Sequence, residues 1–195
     1  MNLGDNNTFE VLPRNLAARR RYVSWPLFHF SNREANATMC SSMETITLTT
    51  TSASATQKAA HILAEELGVR SLPAKGALVL ALEGDLGGGK TTFTQGFAKG
   101  LGIKDKIASP TFVLMKIYKI SGLNTHFERF VHIDAYRLDH PHELVHLGWR
   151  DLARDPHNII LVEWASKVKK LIPKEAVHIQ FAFVDKKTRT ITVKA

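Results

Sequence analysis

The segment Gly84-Asp-Leu-Gly-Gly-Gly-Lys90-Thr91 has the residue types and the spacing of a phosphate-binding loop. It satisfies the pattern G-x-x-x-x-G-K-[ST] at every fixed position. Glycines let the backbone curl so that successive N–H groups point inward and cradle an anion, and a helix after the loop adds its positively polarised N-terminus. We expect Lys90 to reach the β- and γ-phosphates of a nucleotide, the Thr91 hydroxyl to bind Mg²⁺ and Thr92 to contact the α-phosphate. The candidate nucleotide-binding residues are Gly84, Asp85, Leu86, Gly87, Gly88, Gly89, Lys90, Thr91 and Thr92.

Such a loop needs an acidic residue at the end of a neighbouring buried strand, where the carboxylate completes the magnesium shell. Two candidates follow apolar runs: Glu163 comes after Ile159–Val162, and Asp134 comes after Val131-His-Ile. Glu163 follows the longer apolar run, so we predict that it belongs to the magnesium shell. Asp134 then either positions water or holds the outer part of that shell. The alternative for both acids is a strand-end carboxylate that pairs with Lys or Arg at the surface.

The loop requires a buried strand before it and a helix after it, and the sequence supplies both. Ala77–Leu82 is an unbroken apolar run, which is typical of a strand buried on both faces. Lys90–Leu101 carries Phe93, Phe97 and Leu101 at helical spacing. Further strands are predicted at Thr45–Thr49, Phe112–Ile120, Phe130–Tyr136, Ile159–Val162, Val177–Val184 and Thr188–Val193, and further helices from a capping box at Ser54–Gln57 to Gly68 and over Glu143–Ala153.

This order of elements predicts an α/β fold, namely a P-loop NTPase-like domain of three layers (α/β/α) with a mixed, partly parallel sheet and a C-terminal hairpin. A change of composition near residue 43 separates this domain, 43–195, from an N-terminal extension. Residues 1–42 hold five arginines, no lysine and no sustained period of 2 or 3.6. The extension is either disordered, or an organelle transit peptide, or an artefact of start-site choice with the real start at Met43. We favour the last interpretation.

The composition excludes several classes of protein. Among 195 residues there is a single cysteine, Cys40, which excludes a disulfide framework and a cysteine-built zinc site. His140, His142 and His146 lack a further ligand at a suitable spacing, so no zinc is predicted. No apolar run approaches the ~18 residues that cross a bilayer. The net charge of +8 is compatible with a nucleic-acid partner but describes the field of the whole molecule, not a site. We expect a cytoplasmic protein, with organelle targeting by residues 1–42 as the minor alternative.

Some classes of nucleotide enzyme are also excluded. A Ras-type GTPase would carry an N-K-x-D motif, which the sequence lacks, and an AAA+ machine would need a second helical domain. A small-molecule kinase remains open, although its usual Arg-rich lid is not evident. A nucleotide-dependent assembly clamp, in which hydrolysis is incidental, also remains open.

Several short motifs accompany the loop in a characteristic order and spacing. They are Ser109-Pro-Thr-Phe112, His132-Ile-Asp-Ala-Tyr-Arg-Leu138, Glu143-Leu, Leu147-Gly148 and Val162-Glu-Trp164. Together with the loop they resemble the TsaE (YjeE) family, from about Glu44 to the C-terminal hairpin.

The resemblance implies a magnesium-dependent ATPase subunit required to form N6-threonylcarbamoyladenosine at position 37 of tRNAs that read ANN codons. It implies ATP and Mg²⁺ as cofactors, TsaD and TsaB as partners, and contact with tRNA only through that pair. A P-loop protein without an arginine finger of its own hydrolyses ATP slowly, and a partner that supplies charge at the γ-phosphoryl group accelerates it by about 10³–10⁵. We therefore expect slow turnover alone and stimulation by the partners.

The resemblance also assigns roles by position. Thr91 and Glu163 match the family's magnesium residues, and Asp134 matches its essential aspartate. Thr111, in the loop Ser109-Pro-Thr111, matches a switch-like segment near the γ-phosphate. Asp134, Glu163 and Thr111 are therefore the candidate catalytic residues. Family contacts to the nucleotide from the first helix and the hairpin would fall near Ala53–Ser54 and Lys187–Arg189.

Overall fold

The computed structural model describes residues 45–69, 73, 75–121 and 125–194, so the predicted extension 1–42 lies outside the described residues. The strands are β1 (Thr45–Thr50), β2 (Leu78–Glu83), β3 (Met115–Lys119), β4 (Arg129–Asp134), β5 (Asn158–Glu163), β6 (Val177–Phe183) and β7 (Arg189–Lys194). The helices are α1 (Ala53–Gly68), α2 (Lys90–Gly100), α3 (Pro141–His146) and α4 (Trp149–Arg154), followed by a 3₁₀ helix over Ala165–Leu171. No helix within these ranges is both long enough and apolar enough to span a bilayer.

All seven of these strands form one sheet in the order β1-β7-β6-β2-β5-β4-β3. Strands β6, β2, β5 and β4 run parallel to one another, whereas β3 pairs with β4, β7 with β6 and β1 with β7 in antiparallel fashion. The predicted mixed, partly parallel sheet and the C-terminal hairpin β6–β7 are thus confirmed. Because the central strands are parallel, their carboxyl ends meet at one edge, where α/β sheets bind ligands.

Two hydrophobic cores cover the two faces of the sheet. Along β2, Leu80 and Leu82 join the core beneath α1 and α2, whereas Val79 and Ala81 join the core beneath α3, α4 and the 3₁₀ helix. Alternate residues of a strand point to opposite faces, so the apolar run of β2 serves both cores. The three-layer α/β/α architecture is confirmed.

The same alternation directs the strand-end acids towards α2. Phe130 on β4 and Leu161 on β5 belong to the core beneath α1 and α2. His132 and Asp134 continue the Phe130 series, and Glu163 continues the Leu161 series, because positions i and i+2 share a face. Asp134 and Glu163 are also paired directly across β4 and β5. Both carboxylates therefore lie on the sheet face that α2 covers.

Helices α1 and α2 pack with their backbones in close contact at two glycines of α2. A Cβ atom on Gly96 would lie 2.2 Å from the carbonyl oxygen of Gln57, and one on Gly100 would lie 2.5 Å from that of His61. Both clashes are with backbone atoms, which no side-chain rotation can relieve. The four-residue spacing puts the two glycines on the same side of α2.

Three local predictions were wrong. The cap of α1 is Ser52, whose Oγ accepts from the N–H of Ala55 at 3.0 Å, and not Ser54. The predicted strand Phe112–Ile120 begins only at Met115, because Phe112–Leu114 form a turn after Pro110 in which Leu114 adopts a left-handed φ of 64°. The helix predicted over Glu143–Ala153 is divided into α3 and α4 at Gly148, whose φ is 88°.

Replacement of Gly96 by Ala should destabilise the protein. Alanine favours a helix by about 1 kcal/mol over glycine, but forced overpacking costs about 1–3 kcal/mol, and here the methyl group would meet rigid backbone. At the upper end of that range the net loss is about 2 kcal/mol, which corresponds to a Tm lower by roughly 4–8 °C for a domain of this size. Thermal unfolding measures it, with Lys99→Ala on the exposed side of α2 as the control. An unchanged or higher Tm for Gly96→Ala would contradict the close packing of α1 on α2.

Candidate functional site

The glycine-rich loop leaves β2, curls against β6 and enters α2. Gly84 has a φ of 137°, and a Cβ atom there would lie 2.5 Å from the carbonyl oxygen of Phe181 on β6, so only glycine fits at this position. Gly89 adopts a φ of 100° as the N-cap of α2. The N–H of Gly88 donates to the carbonyl of Asp85 at 3.0 Å, which closes a turn inside the loop. The loop therefore ends at a helix N-terminus, as its sequence predicts.

Lys90, the first residue of α2, folds back over the loop. Its Nζ donates to the carbonyl oxygens of Gly84 at 2.6 Å and Asp85 at 2.9 Å. The same Nζ lies 3.8 Å from the centre of the Trp164 ring, a distance at which a cation is attracted to an indole. Burial lowers the pKa of the Lys90 ammonium below its usual value, whereas the nearby carboxylates of Glu163 and Asp134 act in the opposite direction. An oriented, partly desolvated cation thus lies above the loop.

Glu163, at the end of β5, is 2% exposed, and both of its carboxylate oxygens are hydrogen-bonded. The Thr91 hydroxyl donates to Oε2 at 2.9 Å. The other oxygen, Oε1, lies 2.9 Å from Nε2 of His132 and 3.2 Å from the Thr94 hydroxyl. A hydroxyl beside a carboxylate offers the oxygen ligands that Mg²⁺ prefers. The residues predicted for the metal, Thr91 and Glu163, are therefore in direct contact.

Asp134, at the end of β4, holds the loop that contains Thr111. Its Oδ2 accepts from the Ser109 hydroxyl at 2.6 Å and from the Thr111 hydroxyl. Its Oδ1 accepts from the N–H of Tyr136 at 3.0 Å. Asp134 is 3% exposed, so it is not a surface acid paired with Lys or Arg. The structure thus connects Thr111 to the strand end next to Glu163.

The C-terminal hairpin brings Arg189 to the outer side of the loop. Its Nη2 donates to the carbonyl of Gly87 at 3.1 Å, and Nη1 donates to that of Asp185 at 2.6 Å. The guanidinium also stacks on the ring of Phe183, with 4.6 Å from Cζ to the ring centre. The other segment predicted to contact the nucleotide, Ala53–Ser54, lies in the first turn of α1, where Ser54 is exposed.

Two residues of the site, His132 and Thr94, escaped the sequence prediction. His132 faces away from the layer of Val131 and Ile133, is buried in the opposite layer and is hydrogen-bonded to Glu163. The sequence does contain a sign of this role: His132 lies two residues before Asp134 on the same strand, so the two side chains share one face of the sheet. Thr94 lies three residues after Thr91, and therefore on the same side of α2.

Comparison with known proteins agrees with this geometry. Residues 50–191 match the family model described as threonylcarbamoyl adenosine biosynthesis protein TsaE. Relatives from several bacteria, among them Bacillus subtilis and Haemophilus influenzae, bear the name tRNA threonylcarbamoyladenosine biosynthesis protein TsaE. The one from Bacillus subtilis is 40% identical over 126 residues, which are 63% of this chain and 72% of that protein. The one from Haemophilus influenzae is 36% identical over 109 residues, which are 56% of this chain and 65% of that protein.

The crystal structure of YdiB from Bacillus subtilis has a similar fold. It superposes with a TM-score of 0.58 at 31% sequence identity and covers 79% of this chain and 87% of its own. The family model spans well over half of the chain, and its range includes the loop, both strand-end acids and the start of the closing strand. The chain belongs to the TsaE family of threonylcarbamoyladenosine biosynthesis proteins.

Proposed function

We propose that this protein is a magnesium-dependent ATPase that acts on the TsaD–TsaB complex during formation of N6-threonylcarbamoyladenosine at position 37 of tRNAs reading ANN codons. The observation that carries the proposal is the contact between the Thr91 hydroxyl and the Glu163 carboxylate directly behind the glycine-rich loop. The names of the relatives support the pathway. We propose a cytoplasmic location, with organelle targeting by residues 1–42 as the alternative.

Residues of the loop bind the phosphates of ATP in this proposal. The N–H groups of Gly84–Gly89 and the N-terminus of α2 supply donors and partial positive charge. Lys90 supplies a full charge that is already oriented by two loop carbonyls and the Trp164 ring. Because the ammonium is already oriented, binding requires little rearrangement of the Lys90 side chain. Its positive charge favours the polyanionic phosphate chain over a neutral ligand.

Thr91 and Glu163 hold Mg²⁺ in this proposal. Both are oxygen ligands, they are already in contact, and Glu163 is fixed through its other oxygen. Magnesium bound to ATP neutralises charge on the β- and γ-phosphate oxygens. The protein holds the Thr91 hydroxyl in the first turn of α2 and the Glu163 carboxylate at the end of β5. Both groups thus lie next to the N–H groups that bind the phosphates.

Asp134 and Thr111 position the reacting water and the γ-phosphate. Asp134 accepts from the hydroxyls of Ser109 and Thr111, so the position of the loop depends on this carboxylate. Because Asp134 and Glu163 are neighbours across β4 and β5, a movement of the loop is coupled directly to the metal ligand. We infer that a partner stimulates hydrolysis in two ways, by fixing this loop and by supplying charge at the γ-phosphoryl group.

Exposed apolar side chains support docking of a partner near the nucleotide. Leu86, at the tip of the glycine-rich loop, is 79% exposed, and Phe112, next to Thr111, is 83% exposed. Phe183 and Val184, at the end of β6, are exposed as well. Contiguous patches of exposed apolar groups mark surfaces that bind proteins. Arg189 stacks on Phe183 and donates to the carbonyl of Gly87, so Phe183 lies near the tip of the glycine-rich loop. We propose that TsaD and TsaB contact these segments and that tRNA is contacted only through them.

Release of phosphate from ATP tests this function. We expect slow, magnesium-dependent release by the protein alone and a clear acceleration when the TsaD–TsaB pair is added, because a partner's charge at the γ-phosphoryl group is worth about 10³–10⁵ in rate. A rapid rate without partners, or stoichiometric transfer of phosphate to a small acceptor, would contradict the proposal and favour a kinase.

Substitution of Lys90 by Ala should weaken ATP binding and leave the fold intact. A hydrogen bond to a charged group contributes about 1.5–3 kcal/mol, so the dissociation constant should rise by at least about 10- to 100-fold. Titration calorimetry with ATP and Mg²⁺ measures the affinity, and thermal unfolding checks the fold. Lys99→Ala, in the last turn of the same helix, is the matched control. Unchanged affinity in Lys90→Ala would refute the assignment of the loop.

A further inference from the structure

We propose that His132 is a positioning residue that holds the Glu163 carboxylate through an Nε2–H donor, so that Oε2 stays directed at the Thr91 hydroxyl. The inference rests on the proposed function in one respect, namely that Glu163 serves the magnesium shell. His132 itself contacts neither the phosphate-binding loop nor the predicted switch-like loop through any hydrogen bond of the described residues.

The contact between His132 and Glu163 is completely buried. The side chain of His132 is 0% exposed and that of Glu163 is 3% exposed, and Nε2 lies 2.9 Å from Oε1. A buried carboxylate oxygen needs a donor, because water cannot reach it. His132 therefore donates a hydrogen bond to Oε1 of Glu163, which is inaccessible to solvent.

Thr94 does not replace this donor. Its hydroxyl carries one hydrogen, and two acceptors compete for it: the carbonyl of Lys90 at 3.0 Å and Oε1 of Glu163 at 3.2 Å. The carbonyl is the nearer of the two. The N–H of His132 is consequently the donor that Oε1 does not share with a backbone carbonyl.

The surroundings of the ring select one tautomer of neutral His132. Within the described part of the chain, Nδ1 is buried without a hydrogen-bond partner. A proton on Nδ1 would leave an unsatisfied donor and point the lone pair of Nε2 at the carboxylate oxygen. A proton on Nε2 satisfies the carboxylate and leaves only an unused lone pair, which is the smaller penalty.

An aromatic stack fixes the orientation of the imidazole. Its ring lies 6.3 Å from the ring of Phe130 at an interplanar angle of 20°. Phe130 contacts Phe97 of α2 at 5.9 Å and Tyr118 of β3 at 6.2 Å between ring centres. The direction of the Nε2–H bond is thus set by core packing. Packing in the core beneath α2 therefore orients His132, and the hydrogen bond from His132 orients the carboxylate of Glu163.

Loss of this donor should affect the metal more than the nucleotide. Residues that orient a metal ligand typically contribute 10- to 100-fold to metal affinity or activity. Without His132, rotation of the carboxylate would draw Oε2 away from Thr91. The lysine, the loop N–H groups and the helix N-terminus, which bind the phosphates, would be unchanged.

The test compares His132→Leu, which removes the donor, with His132→Gln, whose amide nitrogen reaches about as far as Nε2. We measure the Mg²⁺ concentration that half-saturates the enhancement of ATP binding, by titration of the full chain, together with kcat and KM. For His132→Leu we expect that concentration to rise and kcat to fall about 10- to 100-fold, with KM for ATP changed less than about threefold. For His132→Gln we expect values close to those of the wild type.

Ile191→Val on β7 is the matched control, because it removes a methyl group from the core beneath α1 and α2, and three strands separate β7 from β4, which carries His132. It should lower Tm without a comparable change in the Mg²⁺ requirement. Equal behaviour of His132→Leu and His132→Gln, or an equal Mg²⁺ shift in Ile191→Val, would overturn the proposal and reduce His132 to a packing residue.

A second measurement needs neither a variant nor a ligand. Long-range ¹H–¹⁵N NMR of the wild-type protein reports which imidazole nitrogen carries the proton. We expect the Nε2–H tautomer for His132, and an Nδ1–H tautomer would overturn the proposal even if a variant failed to fold. If the wild type binds ATP without any Mg²⁺ dependence, the proposed function fails, while the tautomer still decides the contact between His132 and Glu163.

Discussion

The hydrogen bond between the Thr91 hydroxyl and the Glu163 carboxylate is the contact on which the rest of the site depends. It joins the first turn of α2 to the end of β5, two elements 72 residues apart in sequence. Formation of this bond requires the parallel pairing of β2 with β5, since that pairing brings Glu163 level with Leu82, two residues before the loop. The sheet topology is therefore what creates the site.

The second constraint is electrostatic. Two carboxylates, Asp134 and Glu163, and one ammonium, Lys90, are each at most 5% exposed at the same edge of the sheet. Charges this deeply buried persist only when they are paired or hydrogen-bonded. Hydroxyl donors from Ser109, Thr91 and Thr111 meet this need for the two carboxylates. Two backbone carbonyls of the glycine-rich loop accept from Lys90. The hydroxyl hydrogen bonds connect the loop Ser109-Pro-Thr111 to β4 and connect α2 to β5. A displacement of one of these elements therefore changes the hydrogen bonds of its partner.

Much of this arrangement could be predicted from the sequence. The spacing of the glycine-rich loop, the buried strand before it and the two acids after apolar runs indicated the sheet edge at which they meet, because these signals are local. The turn at Phe112–Leu114 could not be predicted, since exposed apolar residues after Pro110 look the same as a buried strand. The bond from His132 to Glu163 joins two strands whose register depends on the tertiary fold, so only the structure shows it.

The most direct test of the central claim is a comparison of ATP binding and phosphate release in Glu163→Gln. The amide keeps the size of the side chain and one acceptor oxygen, but it removes the charge and the second acceptor, so it cannot accept from both Thr91 and His132. We predict ATP affinity within a few-fold of the wild type and phosphate release, with the TsaD–TsaB pair present, slower by roughly 10²–10³, the usual effect of removing one preorganised electrostatic group. Glu66→Gln, on an exposed position of α1, is the control. Undiminished release by Glu163→Gln would contradict the account.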